Sequence, residues 1–305
     1  MSRSVVPRSS AACRGVFAFA TAFAVALFAA RGGAADSHEL AGTTLDYAYD
    51  GNDVGHAERA WHGRAYVPPE ARSLGRPLPL VIFLHGLNKA LIKHRWMGGG
   101  AEGDVRGIVG ELVSSGRVEP VLVAGPSSIV ASEVSHGASF NHLDLDVFVD
   151  RTIERLGGTA VVDESRIVVA GHSGAGCSTN GGIASVKKTR RRWLAVIAID
   201  TCMQPDLAGV LTNLGSETHV VVGYQTATWT SRPFAAFKAA FERGVRHKPA
   251  SPGVLRVLDL ERPTRAPHDA TVPLTFERWL PKLLPGARAA EAARAAEAGR
   301  AAAAR

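Results

Sequence analysis

The 305-residue chain is nearly half apolar (46%) and carries a formal charge of +7. Four arginines lie before Asp36 and the tail after Gly286 adds four Arg against two Glu, so the body between them is close to neutral. That argues against nucleic acid as a partner, which would need clustered positive charge, and the apolar share is enough for a sizeable core in one domain.

Residues 1–35 read as a secretory signal peptide. Arginines precede the apolar run Gly15–Ala30, and the small residues Gly32-Gly33-Ala34-Ala35 follow it. The run is about 16 residues, short of the ~20 needed to span a bilayer. Cleavage near Ala34 or Ala35 is expected, leaving a secreted or periplasmic chain with no stable membrane anchor. A single catalytic domain is then expected over 36–286, followed by an Ala/Arg-rich tail over 287–305 with no packed role.

Residues 43–49 and 57–67 alternate loosely and predict an antiparallel pair of strands. Pro79–His85 is a continuous apolar run, the pattern of a strand buried on both faces. Helical spacing covers 104–115, and Val121–Ala124 predicts the next buried strand. The polar segment 127–142 reads as a loop. Residues 143–156 form an amphipathic pattern with Leu143, Val147, Val149, Ile153 and Leu156 inward. Arg166–Gly171 is a further buried strand, and a helix is expected from Ser173 to about Lys188. The cations Lys187, Lys188, Arg190, Arg191 and Arg192 then read as its solvated end. Strands at 193–199, 219–223 and 254–260 alternate with helices at 206–214, 234–245 and 272–284. Alternation of this kind predicts an α/β three-layer sandwich, with a mostly parallel, eight-stranded sheet and helices on both faces.

Functional residues of such sheets gather beyond the carboxyl ends of the strands. His85, Ser173, Asp200 and His268 all fall there. The run Ile167-Val168-Val169-Ala170-Gly171-His172-Ser173-Gly174-Ala175-Gly176 places a serine on a tight turn after a buried strand, flanked by small residues. That is the arrangement of an activated nucleophile. A phosphate cradle is the competing reading of a glycine-rich turn, but no Lys-Ser/Thr pair follows.

A serine needs an oriented base and a carboxylate behind it. His268 follows the last strand and precedes the last helix, where the chain order serine, acid, histidine requires the base. His247, His219 and His172 compete less well; the His172 side chain is expected to point away from the tip of the turn. For the acid, no Asp or Glu occurs between Thr218 and Phe241. Asp200, directly after Ile197-Ala198-Ile199, is the first choice, with Asp206, Asp259 and Asp269 as weaker ones. The N–H groups of Gly174 and Leu87 are the candidate oxyanion donors. His85 reads as a structural hydrogen-bonder. Trp96, His136, His142 and Trp229, in the loops 88–103, 127–142 and 225–232, are candidates for the substrate cleft. Cys177 and Cys202 are a candidate disulfide between the nucleophile turn and the acid loop, with two free buried cysteines as the other reading. No metal-ligand spacing is evident and no cofactor is implied.

Over about residues 60–284 the chain resembles the α/β-hydrolase superfamily. Arg64-Ala65-Tyr66-Val67-Pro68, Pro77–Gly86 and Val162-Asp163-Glu164-Ser165-Arg166-Ile167 are similar to stretches of secreted serine esterases of the polyhydroxybutyrate-depolymerase, feruloyl-esterase and acetyl-xylan-esterase kind. The resemblance implies a secreted serine hydrolase acting on a small-molecule or polymeric ester through an acyl-enzyme. A peptidase or amidase with the same triad, or a binding protein on the same fold, are the alternatives. Ala175 stands where the usual elbow has a second glycine, and the usual acid position after the next-to-last strand is empty.

Overall fold

A computed structural model describes residues 40–49, 61–72, 74–129, 137–288 and 291. The signal-peptide reading and most of the tail lie outside them, as does His136.

One eight-stranded sheet organises the described chain. Its strands are β1 (Thr43–Tyr49), β2 (Trp61–Val67), β3 (Leu78–Leu84), β4 (Leu122–Ser127), β5 (Val162–His172), β6 (Ala195–Ile199), β7 (His219–Tyr224) and β8 (Arg256–Leu260). Their spatial order is β1-β2-β4-β3-β5-β6-β7-β8. β1 and β2 pair antiparallel, β2 joins β4 antiparallel, and all later pairings are parallel. β3 is buried throughout, as its unbroken apolar run predicts.

The helices are α1 (Val105–Ser114), α2 (Leu145–Leu156), α3 (Pro205–Thr212), α4 (Phe234–His247) and α5 (Pro267–Leu283). Asp104 caps α1 by accepting from Arg106 N–H, and Asp144 caps α2 by accepting from Asp146 and Val147 N–H. Val109, Leu112, Phe276 and Leu280 of α1 and α5 pack with Val81, Phe83 and Val168 on one face of the sheet. Phe148, Leu211, Phe237 and Phe241 of α2, α3 and α4 pack with Leu80, Ile82 and Val169 on the other. Two apolar faces on one sheet require two covering layers, which gives the three-layer α/β fold.

Three local expectations change. No α-helix follows Ser173: a 3₁₀ turn, Ser173–Gly176, is followed by a break and a second 3₁₀ stretch, Gly182–Lys188. Gly182 has φ +52°, and a Cβ there would stand 1.9 Å from the carbonyl oxygen of Ala175. The chain crosses itself too closely at this point for a continuous helix. Of the cationic cluster, Lys187 and Lys188 close the 3₁₀ stretch and are exposed, as are Arg190 and Arg192, but Arg191 departs from the solvated-end expectation. Arg191 is largely buried and pairs with Asp146, Asp150 and Glu164. In α2, Val149 and Leu156 are buried as expected and Phe148 and Thr152 join them, while Val147 and Ile153 are only partly buried.

Gly182→Ala should lower stability by at least about 2 kcal/mol, since it adds a left-handed alanine to a backbone clash. A fall in the urea midpoint checks this.

Candidate functional site

β5 leads directly into Ser173, which adopts φ +54°. A left-handed non-glycine residue is strained and persists only where its surroundings dictate it. Here they are tight. A Cβ on Gly86 would lie 2.7 Å from the Ser173 Cβ, and one on Gly171 would lie 2.4 Å from the Ile183 side chain. Glycine at 86 is therefore what admits the serine, and glycine at 171 is what lets Ile183 pack on the strand end that carries it. A Cβ on Gly174 would meet the Leu87 nitrogen at 2.8 Å. The backbone after the serine and the loop after β3 thus lie against each other, beside Ser173. The carbonyl of Leu87 is in turn gripped by Arg95, which pairs with Glu102.

β6 is hydrogen-bonded alongside β5 and ends at Asp200. The Asp200 carboxylate is wholly buried. His268 Nδ1 stands 2.6 Å from its Oδ2, and Gln225 Nε2 donates to the same oxygen at 2.8 Å. Arg232 Nη1 donates to Oδ1 at 2.5 Å, and the Gln225 N–H reaches Oδ1 at 3.2 Å. Burial pushes the Asp200 carboxyl upward, but the bonds from His268, Gln225 and Arg232 outweigh it and hold it below the usual carboxylate range.

His268 lies in the first turn of α5, which begins five residues earlier than its sequence pattern suggests at 272. Pro267 occupies the first helical position, where a missing N–H costs nothing. The His268 side chain remains one-third exposed. Ser173, His268, His172, Leu87, Trp229 and Asp269 share one cavity of about 580 Å³ at the carboxyl edge of the sheet. No hydrogen bond joins the Ser173 hydroxyl to the His268 ring among the described residues.

His172 does not turn away from the site. Its Nε2 meets the His268 carbonyl oxygen at 3.1 Å, and its ring lies 4.5 Å from the His268 ring. Burial pushes its imidazole down to about 3, so it remains neutral. His85 is likewise buried and pushed down to about 4. Its Nε2 accepts from Ser128 N–H at 3.0 Å, which places its proton on Nδ1, donated to the Gly86 carbonyl at 2.7 Å. His85 thereby pins the loop after β3 to the end of β4.

Of the remaining cleft candidates, Trp229 lines the cavity, with its ring edge-on to His268 at 5.7 Å. Trp96 does not. It is 1% exposed and packs between Phe83 and His172 beneath the cavity floor, because its indole belongs to the apolar face that α1 covers. His142 is exposed and lines a separate depression with Leu143 and Ser185. The loop 88–103 contributes Asn88, Lys89, Arg95 and Glu102 to the cavity wall.

Cys177 and Cys202 form a disulfide with a Cα–Cα distance of 5.0 Å. It joins the residue after the Ser173–Gly176 turn to the loop that carries Asp200. Among the described residues, His172, His268 and Asp269 form one group whose potential ligand atoms lie within 4.8 Å of one another. Of the two His268 ring nitrogens, Nδ1 is already committed to Asp200. No helix among the described residues is long and apolar enough to cross a membrane.

Sequence reading missed Gln225 and Arg232. The available signal was the acid-free stretch between Thr218 and Phe241. An arginine there must find its anion elsewhere in the fold.

Unfolded histidine protonates near 6.5, and folded His172 near 3, so the unfolded chain binds the extra proton between those values. Stability contributed by neutral His172 is thus present above about pH 6.5 and lost as the pH falls below it. Glu261, pushed up to about 7 by burial, works in the opposite direction, so the cleaner measurement is a difference. Between pH 7.5 and pH 5 the stability of His172→Gln should gain about 2 kcal/mol on the wild type, read from paired urea titrations.

No family model matches the sequence, and no curated protein matches it. Solved structures do. A ferulic acid esterase aligns at TM-score 0.57 and 12% identity, covering 80% of this chain and 98% of that one. An S-formylglutathione hydrolase from Agrobacterium tumefaciens aligns at 0.53 and 16%, covering 80% and 96%. A thermostable esterase aligns at 0.52 and 18%, covering 77% and 60%. With these neighbours and its strand order, the chain has the α/β-hydrolase fold.

Proposed function

We propose that the protein is a secreted serine hydrolase of carboxylic esters, with Ser173 as nucleophile, His268 as base and Asp200 as the acid that orients it. The observation that carries this reading is the 2.6 Å contact of His268 with a fully buried Asp200, in the same cavity as Ser173. A carboxylate in that position selects the tautomer with its proton on Nδ1 and leaves Nε2 free to accept one.

Ser173 Oγ attacks the acyl carbon while His268 Nε2 takes its proton. Bonds of this kind often tighten only in the substrate complex, and the missing Ser173–His268 hydrogen bond is of that sort. The carbonyl oxygen, now an oxyanion, is received by the N–H groups of Gly174 and Leu87. Collapse expels the alcohol, which takes the proton from His268, and leaves an acyl-enzyme. Water activated by the same histidine attacks the acyl carbon, releases the carboxylic acid and restores Ser173. Trp229 and the segment Asn88–Ile92 both line the cavity that would take the acyl and alcohol parts.

Export through residues 1–35 fits this assignment, since a disulfide persists in an oxidising compartment. Residues 36–286 are then the catalytic domain and 287–305 an appended tail.

Ser173→Ala and His268→Ala should each reduce kcat on p-nitrophenyl butyrate by at least about 10³-fold, and Asp200→Asn by a similar order. A serine-reactive phosphonate should label Ser173 in the folded wild type. Absence of label, with unchanged hydrolysis in Ser173→Ala, would remove the assignment. Assay of the matching p-nitroanilide separates ester from amide cleavage.

Opening the disulfide, by reduction or in Cys177→Ala/Cys202→Ala, should cost roughly 3 kcal/mol of stability. Thermal denaturation with and without reductant measures this. Phosphonate labelling of Ser173 should slow in parallel, since the bond holds the nucleophile turn against the acid loop.

A further inference from the structure

The loop after β7 holds a charge that the triad reading leaves unused. Arg232 has a side chain only 1% exposed. Its Nη1 donates to Asp200 Oδ1 at 2.5 Å and to the Thr201 carbonyl at 3.0 Å. Its Nη2 donates to the Gln225 carbonyl at 2.6 Å, and its Nε to the Trp229 carbonyl at 3.2 Å. The rings of Trp229 and Phe234 flank the guanidinium at 4.9 and 4.5 Å. Every edge of the fork is occupied within the protein, so it is not placed to bind substrate.

We propose that Arg232 is a positioning residue of the triad, a permanent counter-charge that fixes Asp200 and offsets part of its negative field at His268, keeping that base in its proton-accepting form further into the acid range. The proposal rests on reading Ser173, His268 and Asp200 as the triad. A bare carboxylate against Nδ1 favours the imidazolium, whereas a cation on the other carboxylate oxygen opposes it. Arginine is the side chain that supplies such a charge at every working pH. The Gln225 N–H already reaches Oδ1, so a neutral donor is present there, and what Arg232 adds is charge.

The other groups facing His268 do not supply this effect. His172, at the end of β5, is held neutral by burial. Arg95 and Glu102, from the loop after β3, pair with each other. Asp269, on the first turn of α5, is pushed upward by burial and, when ionised, adds negative charge. Arg232 is the cation joined directly to the acid.

The test compares Arg232→Met, which removes the charge, with Arg232→Lys, which keeps it and loses the fork. Two readouts apply to the full chain: the acid limb of kcat/KM against pH on p-nitrophenyl butyrate, and the NMR titration midpoint of the His268 ring. In Arg232→Met both should move up by about one pH unit or more, and in Arg232→Lys both should stay near the wild type although kcat falls. A folded Arg232→Met with both midpoints unmoved overturns the proposal and leaves Arg232 as a structural brace. Should Arg232→Met not fold, Arg232→Gln gives the same comparison. Should neither neutral variant fold, a midpoint displaced by a full unit in Arg232→Lys overturns the charge argument, and an unmoved one supports it. The NMR readout does not require turnover. A shifted midpoint in a protein that neither hydrolyses esters nor takes the phosphonate label defeats the hydrolase reading alone. An unmoved midpoint in a labelled, active enzyme defeats the counter-charge alone.

Discussion

The structure at the carboxyl edge of the sheet depends on one buried charge. Removing a carboxylate from water costs several kcal/mol unless hydrogen bonds replace the lost hydration. Asp200 is fully buried and receives donors from His268, Gln225 and Arg232. Satisfying it folds the loop after β7. Gln225 turns back to bond Thr228, Arg232 closes on the carbonyls of Gln225 and Trp229, and Trp229 is thereby set over the cavity beside His268. The acid on β6 and the loop after β7 specify each other. This accounts for the absence of an acid in that loop: it supplies a cation and an amide to the neighbouring carboxylate instead.

The same edge carries the backbone strain. Leu91, His94, Trp96, Phe140, Ser173, Asp200, Met203, Trp229 and Ala266 are the non-glycine residues at positive φ among those described. Each follows the carboxyl end of a parallel strand, from β3 through β8. Such residues cost on the order of 1–3 kcal/mol apiece and persist only where neighbouring structure holds them. The disulfide is one such restraint. Cys177 lies four residues after Ser173 and Cys202 two after Asp200, so the bond spans two strained positions. It also compensates for a missing element, because the chain after Ser173 forms only short 3₁₀ turns in place of a helix that would buttress the serine.

Patterns that depend on local sequence were legible. The unbroken apolar run ending at His85 gave a central strand, and buried runs ending at Gly171, Ile199 and Gly223 gave its neighbours in register. The placement of Ser173, Asp200 and His268 past strand ends followed from those runs alone. What could not be read depends on contacts between distant segments. Arg232 looks like any loop arginine until β6 and β7 are laid side by side. Trp96 looks like a cleft residue until Phe83 and His172 close over it. His172 seemed directed away because the strand alternation says nothing about α5 arriving with the His268 carbonyl. The helix expected after Ser173 fails because of the close crossing of Gly182 on Ala175, which no propensity records.

A shared fold at 12–18% identity leaves the chemistry of any site to its side chains. In this chain the two are unusually hard to separate. In many such sheets a cleft loop can change sequence while the catalytic groups, held by strand ends, stay in place. Here the loop that carries Trp229 to the cavity also carries Gln225 and Arg232 to Asp200. A substitution that reshaped this wall would move the Trp229 carbonyl and loosen the Arg232 fork that holds one oxygen of a buried carboxylate. The segment Asn88 to Ile92, which also lines the cavity, is tied to the Ser128 carbonyl and to its own backbone through Asn88 and has no bond to Asp200. Substitutions that leave the Asp200–His268 pair intact should therefore be better tolerated at Lys89 and Ala90 than at Trp229.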